Sequence, residues 1–417
     1  MKILFVYFGL PIGGIELFIV KIVKRLKKKN IHVKVLFYSN KVDKTLLEEL
    51  KVNADIYFLD DYLYIPDFVK KNKAVFKLLF PIKVNKIKRD ILNDISHIHA
   101  PDVFSIFFSC KINLLKVPVT TGVYHINEFN FNKFNAYFFG RKMGNLLKLI
   151  PGMNVLFFNE ISKEFYNQEY NNKFTNAYIA PIGVELEKYF GNFSGVQNDR
   201  IVSIGRLTPW KMYNYHMIEV VKKFNDLGLS LRYESYGDGI ERKNLMNLVK
   251  QLKLEKQVFF HNEIPYSLFK EKINNSLMFI GAGTALIEAS ACGIPSLIGI
   301  ENEQKALSYG FLHDTNTYSY QEKQLDFKML DIKDFILKLK NSDLKDYYEQ
   351  CNKARNRSKD FDIEKSSMIF MQMIQSSERW TWKSNWITNL LILISLIKHE
   401  LLYKIKKNGK SFSLTRH

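Results

Sequence analysis

Cysteine is scarce in this chain of 417 residues, which holds only Cys110, Cys292 and Cys351 and no Cys-x-x-Cys pair. Thiols so few and so widely spaced argue against a disulfide framework or a zinc site, and they indicate a reducing, cytoplasmic compartment. Long apolar runs are also missing, because no stretch reaches the roughly 18–20 apolar residues that cross a bilayer. The short run 3–10 lacks a small-residue cleavage pattern, so we interpret it as a buried strand rather than a signal peptide.

Acidic residues are few beside basic ones, with 42 Asp and Glu against 61 Lys and Arg, and the net charge is +19. Residues 70–89 hold eight basic residues and no acid, and residues 378–417 hold eight basic residues and two acids. Two concentrated patches predict an anionic partner, either nucleic acid or an anionic lipid surface. The alternative is a lysine-rich composition with solvated lysine faces. A hydrophobic fraction of 47% excludes global disorder.

Short apolar segments alternate with longer amphipathic ones. Predicted strands are 3–8, 32–38, 96–100, 117–123, 154–158, 201–205, 230–237, 258–261, 277–281 and 296–300, and predicted helices are 13–29, 104–114, 213–227, 241–253, 267–274 and 285–292. This alternation is typical of parallel sheets with right-handed crossovers.

A polar stretch, 187–199, separates the two series and is predicted to be a linker. We therefore expect an α/β protein with two Rossmann-like domains facing across a cleft, at 1–186 and 195–360. A last segment, 361–417, is expected to form a crossover helix and a basic, aromatic tail. Ligands of such sheets bind at the carboxyl ends of the strands.

Two loops after predicted strands suit an anion. In GLPIGGIE, Gly13 and Gly14 allow close approach of the backbone and open a helix whose amides can face an anion, although such a pair is as often structural. In GRLTPWK, Arg206 and Lys211 lie beyond a strand end, where two cations can neutralise a leaving diphosphate. Ordinary surface cations are the alternative for this second loop.

The run GAGTALIEASACGIP, residues 281–295, also follows a strand, and Glu288 lies in its small-residue helix. A carboxylate there can accept hydrogen bonds from ribose hydroxyls, and the amides of residues 283–285 can bind phosphate or sugar oxygens. An ordinary surface glutamate is the alternative. In TTGVYHINEF, His125 comes just past a strand end and is either structural or functional.

In this order the motifs resemble the family 4 retaining glycosyltransferases of the GT-B fold, the glycosyl transferases group 1. The resemblance extends from residue 1 to about 375. It rests on the Gly-Gly-x-Glu loop, SHIHA (96–100), His125, APIGVELEKYF (180–190), GRLTPWK, SYGDG (235–239) and GAGTALIEASACGIP.

The resemblance implies roles for these residues. His125, Arg206 and Lys211 would be catalytic, His125 at the transferred sugar and the two cations on the diphosphate. Glu288 would bind the ribose and the backbone near Ile264 the base. The implied donor-binding residues are Gly14, Gly205, Ile264, Gly283, Thr284, Ala285 and Glu288. Family members transfer with retention and usually without a metal, so no cofactor is expected besides the nucleotide-sugar substrate, with a UDP-sugar favoured.

One position departs from the family. Its motif usually carries two glutamates eight positions apart, and the first would fall at Ile280. That residue normally contacts hydroxyls of the donor sugar, so its loss leaves the sugar and the activity open. A catalytically silent sugar-nucleotide-binding subunit is therefore an alternative function. A nucleic-acid-binding protein is another, although no helix-turn-helix, zinc or RNP pattern is present.

The tail 380–407 combines three tryptophans, an apolar run and terminal lysines. We expect an interfacial amphipathic helix with Trp380, Trp382 and Trp386 at headgroup depth, or alternatively a helix packed back on the N-terminal domain. The patch 70–89 mixes Phe76, Leu78, Leu79 and Phe80 with lysines, which suits a lipid-linked, phosphate-bearing acceptor. The predicted protein is thus peripheral on the inner face of the cell membrane and acts in cell-surface polysaccharide (capsule) biosynthesis.

Overall fold

The computed structural model describes residues 1–11, 13–64, 74–124, 126–131, 134–191, 196–323, 325–382 and 385–406. The chain forms two compact units: unit 1 comprises Met1–Ala180 and Ser366–His417, and unit 2 comprises Pro181–Lys365. The boundary between the units at Ala180 and Pro181 thus lies before the predicted linker, 187–199. Residues 196 and 197 of that linker bond within unit 2, where the Gln197 side chain donates to the carbonyls of Leu339 at 2.8 Å and Ser342 at 2.7 Å.

Unit 1 contains a seven-stranded sheet in the order β3-β2-β1-β4-β5-β6-β7, with every neighbouring pair parallel. Its strands are β1 Lys2–Tyr7, β2 His32–Phe37, β3 Asp55–Phe58, β4 His97–His99, β5 Val119–Val123, β6 Val155–Phe157 and β7 Tyr178–Ile179. Its helices are α1 Gly14–Lys28, α2 Lys44–Lys51, α3 Ala74–Lys77, α4 Val84–Ile87, α5 Val103–Ile112, α6 Phe138–Gly144, α7 Leu146–Leu149 and α8 Glu160–Glu169, with a π-helical turn at Lys88–Leu92.

Unit 2 contains a five-stranded sheet in the order β10-β9-β8-β11-β12, again parallel throughout. Its strands are β8 Arg200–Ile204, β9 Arg232–Tyr236, β10 Val258–His261, β11 Met278–Gly281 and β12 Ser296–Ile298, beside an antiparallel pair, β13 Leu307–Ser308 and β14 Leu330–Asp331. Its helices are α9 Tyr213–Asp226, α10 Arg242–Gln251, α11 Phe269–Ile273, α12 Thr284–Ala291, α13 Ile332–Asn341 and α14 Leu344–Ser358.

The predicted α/β class with parallel sheets is confirmed, and the predicted strands of both series are present. The sequence analysis missed two edge strands of unit 1, β3 and β7. Both contain half-buried rather than buried residues, and β7 is two residues long. Their apolar pattern is therefore too weak to distinguish them from loops.

The C-terminal segment begins with α15, Ile363–Ser376, and ends with α16, Trp386–Lys406. Phe370 of α15 stacks on Phe5 of β1 with ring centroids 5.9 Å apart. After α15, the Trp380 indole donates to the Val119 carbonyl at 2.8 Å, and the Trp382 ring meets Phe107 edge-on at 5.2 Å. The prediction that these two tryptophans lie at headgroup depth is therefore wrong, because both pack against the core of unit 1.

The patch 70–89 is only partly an apolar, basic surface. Residues 70–73 lie outside the described part of the chain. Leu78 is buried, and Phe76, Leu79 and Phe80 pack against the core of unit 1. Lys77 is buried in an ion pair with Asp60 at 2.6 Å. The apolar side chains assigned to an exposed docking patch therefore belong to the interior, because each adjoins the buried face of unit 1.

Two glycines of unit 2 bring neighbouring strand ends together. Gly205 follows β8 with φ +155°, Gly237 follows β9 with φ +154°, and the Gly205 amide donates to the Tyr236 carbonyl at 3.0 Å. A Cβ atom at Gly237 would overlap the Gly205 carbonyl. Both the backbone conformation and the contact therefore require glycine at position 237.

We predict that Gly237→Ala lowers the melting temperature of the protein more than Gly228→Ala does. Gly228 also has a positive φ, +70°, but a Cβ there meets no atom within 4 Å. The control variant thus carries only the backbone strain, about 1–2 kcal/mol, whereas Gly237→Ala adds a steric overlap with backbone. Thermal unfolding of both variants measures the difference, and equal melting temperatures would contradict the inferred backbone contact.

Candidate functional site

The predicted site residues of unit 2 all follow the carboxyl ends of its parallel strands. Gly205 and Arg206 follow β8, Ile264 follows β10, and Gly283 follows β11 and precedes α12, which holds Thr284, Ala285 and Glu288. Glu301, which the sequence analysis did not predict, follows β12. Because the five strands run parallel, these ends lie at one edge of the sheet, the edge at which α/β proteins bind ligands.

Lys211 reaches back over the strand end from which its loop begins. A Cβ atom at Gly205 would lie 2.9 Å from the Lys211 Nζ, so the absence of a side chain at position 205 leaves room for the ammonium group. Arg206 is exposed on the same loop and Lys211 is half-buried. The structure thus brings Gly205, Arg206 and Lys211 together, and the two cations present a positive surface on which an anion can bind.

Lys211 interacts with a half-buried carboxyl group, Glu301, which in turn interacts with the half-buried Glu322. Burial lowers the pKa of Lys211, the charge of Glu301 opposes that effect, and Arg206 adds to it. Burial raises the pKa of Glu301, which Lys211 partly offsets. Burial also raises the pKa of Glu322 to about 7, with a further contribution from Glu301. The site therefore contains a balanced set of charges rather than two isolated cations.

The N-terminus of α12 is built on Gly283, which has φ +70°. The Gly283 amide donates to the Gln321 side chain at 2.6 Å, and the Tyr320 hydroxyl donates to the Gly283 carbonyl at 3.2 Å. Of the three predicted amides, the one at Gly283 is therefore already bonded within unit 2. Thr284 and Ala285 occupy the first turn, where a helix has amides without intrahelical partners.

Glu288 lies in the middle of α12 and is 1% exposed. It accepts a hydrogen bond from the Tyr266 hydroxyl, which itself accepts one from the Tyr189 hydroxyl. Ile264, two residues before Tyr266, packs against the same apolar cluster as Ala285. The structure thus brings Ile264 and Glu288 to one region. It adds Tyr266, a residue that is 55% exposed and whose hydroxyl donates to the Glu288 carboxylate.

Position 280 does not belong to the ligand-binding edge. Ile280 pairs with Leu297 inside the sheet and is fully buried in the core of unit 2. Only Ala282 and Gly283 separate β11 from α12. The position at which the resemblance would place the first glutamate is therefore a core strand residue, and Ile280 presents no side chain to the ligand-binding edge.

Two predicted residues belong to unit 1. Gly14 is the first residue of α1, and a Cβ atom there would meet nothing within 4 Å, so the first turn has open space beside it. A Cβ at Gly13, by contrast, would overlap the Glu16 carboxylate. His125 lies outside the described residues.

A cluster of buried acids and tyrosines occupies the carboxyl edge of the sheet in unit 1. The Tyr7 hydroxyl, at the end of β1, donates to Glu16 at 3.3 Å. The Tyr38 hydroxyl, just past β2, donates to Asp102 at 3.3 Å, and Asp102 also accepts from the amides of Phe104 and Ser105 at the start of α5. These groups place several hydrogen-bonding oxygens where a polyhydroxylated ligand could bind.

Glu128 is the strongly perturbed member of this acid–tyrosine cluster. Burial, together with the neighbouring charges of Asp102 and Glu16, raises its pKa to about 8. Burial likewise raises the pKa of Asp102. At neutral pH the Glu128 carboxyl group is therefore mostly protonated and can donate a hydrogen bond.

Sequence reasoning missed several groups that the structure places at these edges. Glu301 lies three residues past β12, Asp102 lies three residues past β4, and Tyr7 ends β1, so an acid or tyrosine at or shortly after the end of a strand was the available signal. Glu322 and Tyr266 gave no such signal, because they reach the site through irregular segments whose path depends on tertiary contacts.

The described residues contain no group of three or more His, Cys, Asp or Glu side chains arranged to hold a metal ion.

A cleft of about 400 Å³ in unit 1 is lined by Phe129, Arg141, Lys148, Tyr166 and Tyr170 among others, and no described residue of the predicted site lines it. The chemistry of the strand-end residues, rather than the size of a cleft, therefore defines the candidate site.

The perturbed Glu128 predicts a pH-dependent stability. Its pKa rises from 4.5 to about 8 on folding, so the folded state holds an extra proton between these values and stability falls as pH rises through that window. Glu128→Gln mimics the protonated form. We expect the Glu128→Gln variant to be as stable as the wild type near pH 5. Above pH 8 the variant should melt at a higher temperature than the wild type, by ~2–4 °C for each kcal/mol recovered. The exposed Glu164→Gln is the control, and parallel pH profiles for all three proteins would contradict the assignment.

Comparisons with known proteins agree with this geometry. Residues 189–301 match the sequence profile of the glycosyl transferases group 1. An uncharacterized glycosyltransferase of Haemophilus influenzae is 25% identical over 264 residues, which cover 59% of this chain and 68% of that protein.

Solved structures are similar over most of the chain. The crystal structure of Anabaena HepE in complex with UDP and glucose aligns with a TM-score of 0.62 at 16% identity, covering 90% of this chain and 100% of HepE. A variant of S. aureus TarM, in complex with fondaparinux, alpha-GlcNAc-glycerol and UDP, aligns with a TM-score of 0.61 at 13% identity, covering 90% and 100%. The resemblance to glycosyltransferases of the GT-B fold is thus confirmed: the chain has that fold, and its residues 189–301 match the glycosyl transferases group 1 family.

Proposed function

We propose that this protein is a retaining glycosyltransferase of the hexosyltransferase type that takes its sugar from a nucleotide-sugar, with a UDP-sugar favoured. The observation that supports this most directly is the pair of cations, Arg206 and Lys211, at the carboxyl end of β8. Two structural neighbours, HepE and the TarM variant, were solved in complex with UDP, which supports the choice of nucleotide.

In the proposed reaction the bond between the sugar C1 and the diphosphate oxygen breaks, and C1 bonds to an acceptor hydroxyl oxygen on the same face. The hydroxyl proton passes to the leaving phosphate. Arg206 and Lys211 stabilise the negative charge that develops on the diphosphate, which is the role that a metal ion has in other enzymes. Because the Lys211 ammonium already lies over Gly205, little reorganisation is needed when the diphosphate binds.

The nucleoside end of the donor is assigned to Glu288 and the backbone near Ile264. Ribose hydroxyls would donate to the Glu288 carboxylate, which the Tyr266 hydroxyl occupies in the structure. The exposed Tyr266 ring would therefore move aside when the donor binds. Gly205, Thr284 and Ala285 would line the phosphates.

The acceptor is proposed to be a lipid-linked glycan, and the protein to act at the inner face of the cell membrane in cell-surface polysaccharide biosynthesis. Net charge +19 favours an anionic surface. No helix among the described residues is long and apolar enough to span a bilayer. We assign acceptor binding to residues 1–186 and donor binding to residues 195–360. Residues 361–417 form the crossover helix and tail in this proposal.

A second candidate, a sugar-nucleotide-binding subunit without turnover, is favoured by one observation: the β11–α12 connection, Ala282 and Gly283, has no acidic side chain for the sugar hydroxyls. The two functions differ in a measurable way. Both bind UDP, whereas only the enzyme releases UDP from a UDP-sugar in the presence of acceptor or water.

We predict that Arg206→Ala and Lys211→Ala each lower kcat by about 10²–10³, the usual cost of removing one group that stabilises charge in the transition state. The exposed Lys250→Ala, in the last turn of α10, is the matched control and should keep wild-type turnover. UDP release from a UDP-sugar measures the rates. Wild-type turnover in both variants would refute the assignment of the diphosphate to this loop.

We predict opposite effects at Glu288 and at the tyrosine bonded to it. Glu288→Ala should weaken UDP binding by about 10–100-fold, because a charge-assisted pair of hydrogen bonds is lost. Tyr266→Phe should strengthen it by about 2–10-fold, because the competing hydroxyl is removed. Titration calorimetry with UDP measures both, with the exposed Tyr348→Phe as control. Weaker binding in Tyr266→Phe would show that the tyrosine supports the ligand instead of competing with it.

A further inference from the structure

The C-terminal helix α16 is apolar on two opposite faces. Its first face packs on unit 1: Ile392 and Leu396 are buried, and the His399 ring meets the Phe139 ring with centroids 5.6 Å apart. The Ser395 hydroxyl oxygen also accepts from the Phe139 amide of α6 at 3.3 Å. This face is therefore fixed to unit 1, which confirms that the tail packs back on the rest of that unit.

The second face is exposed from Ile387 to Leu402. Its members are aliphatic side chains that are each 39–56% exposed: Ile387, Leu390, Leu391, Ile394, Ile397, Leu401 and Leu402. Their spacing of three, four and seven residues places them on one side of the helix, opposite Ile392 and Leu396. A surface helix normally presents charged residues on that side, so a contiguous apolar row there indicates a surface that becomes covered.

Charge around the row indicates what covers it. Lys398 is the charged residue at this face, and Lys404, Lys406, Lys407 and Lys410 follow in the sequence. The one acid within α16, Glu400, is buried. An aliphatic row that includes the exposed Lys398 and is followed in the sequence by further lysines complements an anionic bilayer, whose headgroups attract lysine while the acyl region takes the aliphatic side chains. Pairing of two such faces would instead bring like charges together.

We propose that the exposed aliphatic face of α16 is the surface by which this protein lies on an anionic lipid bilayer. The helix stays parallel to the membrane plane, because its opposite face is held against unit 1. Docking in this orientation would bring unit 1 to the leaflet in which a lipid-linked acceptor is embedded. The biological role of the surface therefore rests on the proposed glycosyltransferase function. This surface also replaces the patch 70–89 as the apolar docking element.

Vesicle flotation of the full chain tests the proposal. The wild type should float with vesicles of phosphatidylcholine and phosphatidylglycerol, and much less with phosphatidylcholine alone. The triple variant Leu390→Ser, Ile394→Ser and Ile397→Ser should lose at least about tenfold in partitioning, because three aliphatic side chains no longer enter the bilayer. Conversely, Ile394→Trp should partition at least as strongly as the wild type, since tryptophan favours the interface.

The matched control replaces two exposed leucines of unit 2, Leu227→Ser and Leu229→Ser, and should float like the wild type. Unchanged melting temperatures are expected for all variants, since the replaced side chains are exposed. Wild-type flotation of the triple variant, or no flotation of the wild type, overturns the proposal. So does a wild-type dimer in light scattering that the triple variant converts to monomer, which would make the face a self-association surface.

UDP binding and UDP-sugar turnover without vesicles separate the docking surface from the proposed function. The triple variant should keep wild-type affinity for UDP, because α16 belongs to unit 1 and the nucleotide residues to unit 2. Flotation without UDP binding in the wild type would refute the glycosyltransferase function and leave docking intact. UDP binding without flotation would refute docking alone.

Discussion

Parallel pairing of the strands in the two large sheets is the constraint from which the candidate site follows. When all strands run in one direction, their carboxyl ends and the loops that leave them meet at a single edge. Residues as distant in sequence as Gly205 and Glu301 become neighbours of Lys211 for this reason. The sheet itself contributes no ligand, but it determines which loops can form a site together.

Burial then decides what those loops can do chemically. The same loss of solvent lowers the pKa of Lys211 and raises that of Glu301, so each charge becomes dependent on its partner. In unit 1 burial raises the pKa of Glu128 and converts an acid into a hydrogen-bond donor at neutral pH. A phosphate that binds beside Lys211 would enter a site in which compensating charge is already present, which limits the reorganisation that binding requires.

The C-terminal segment shows how tertiary contacts divide one sequence between two environments. Trp380, Trp382 and the aliphatic residues of α16 look alike in sequence as an amphipathic, aromatic tail. In the structure the two tryptophans are half-buried against the core of unit 1, where the Trp380 indole donates to the Val119 carbonyl, while the outer row of α16 stays exposed. Which apolar side chains remain available to a membrane is thus determined by packing rather than by composition.

By itself the sequence determined the α/β class, the positions of most buried strands, the family resemblance, the loop that carries Arg206 and Lys211, and the helix that carries Glu288. These depend on local periodicity, on glycines after strands and on the order of motifs, all of which are properties of neighbouring residues. Only the tertiary structure decided that Ile280 lies in the core, that the Tyr266 hydroxyl donates to Glu288, and that Glu301 and Glu128 are half-buried acids with raised pKa values. Those facts depend on which distant segments exclude water from a side chain, and no local pattern in the chain records that.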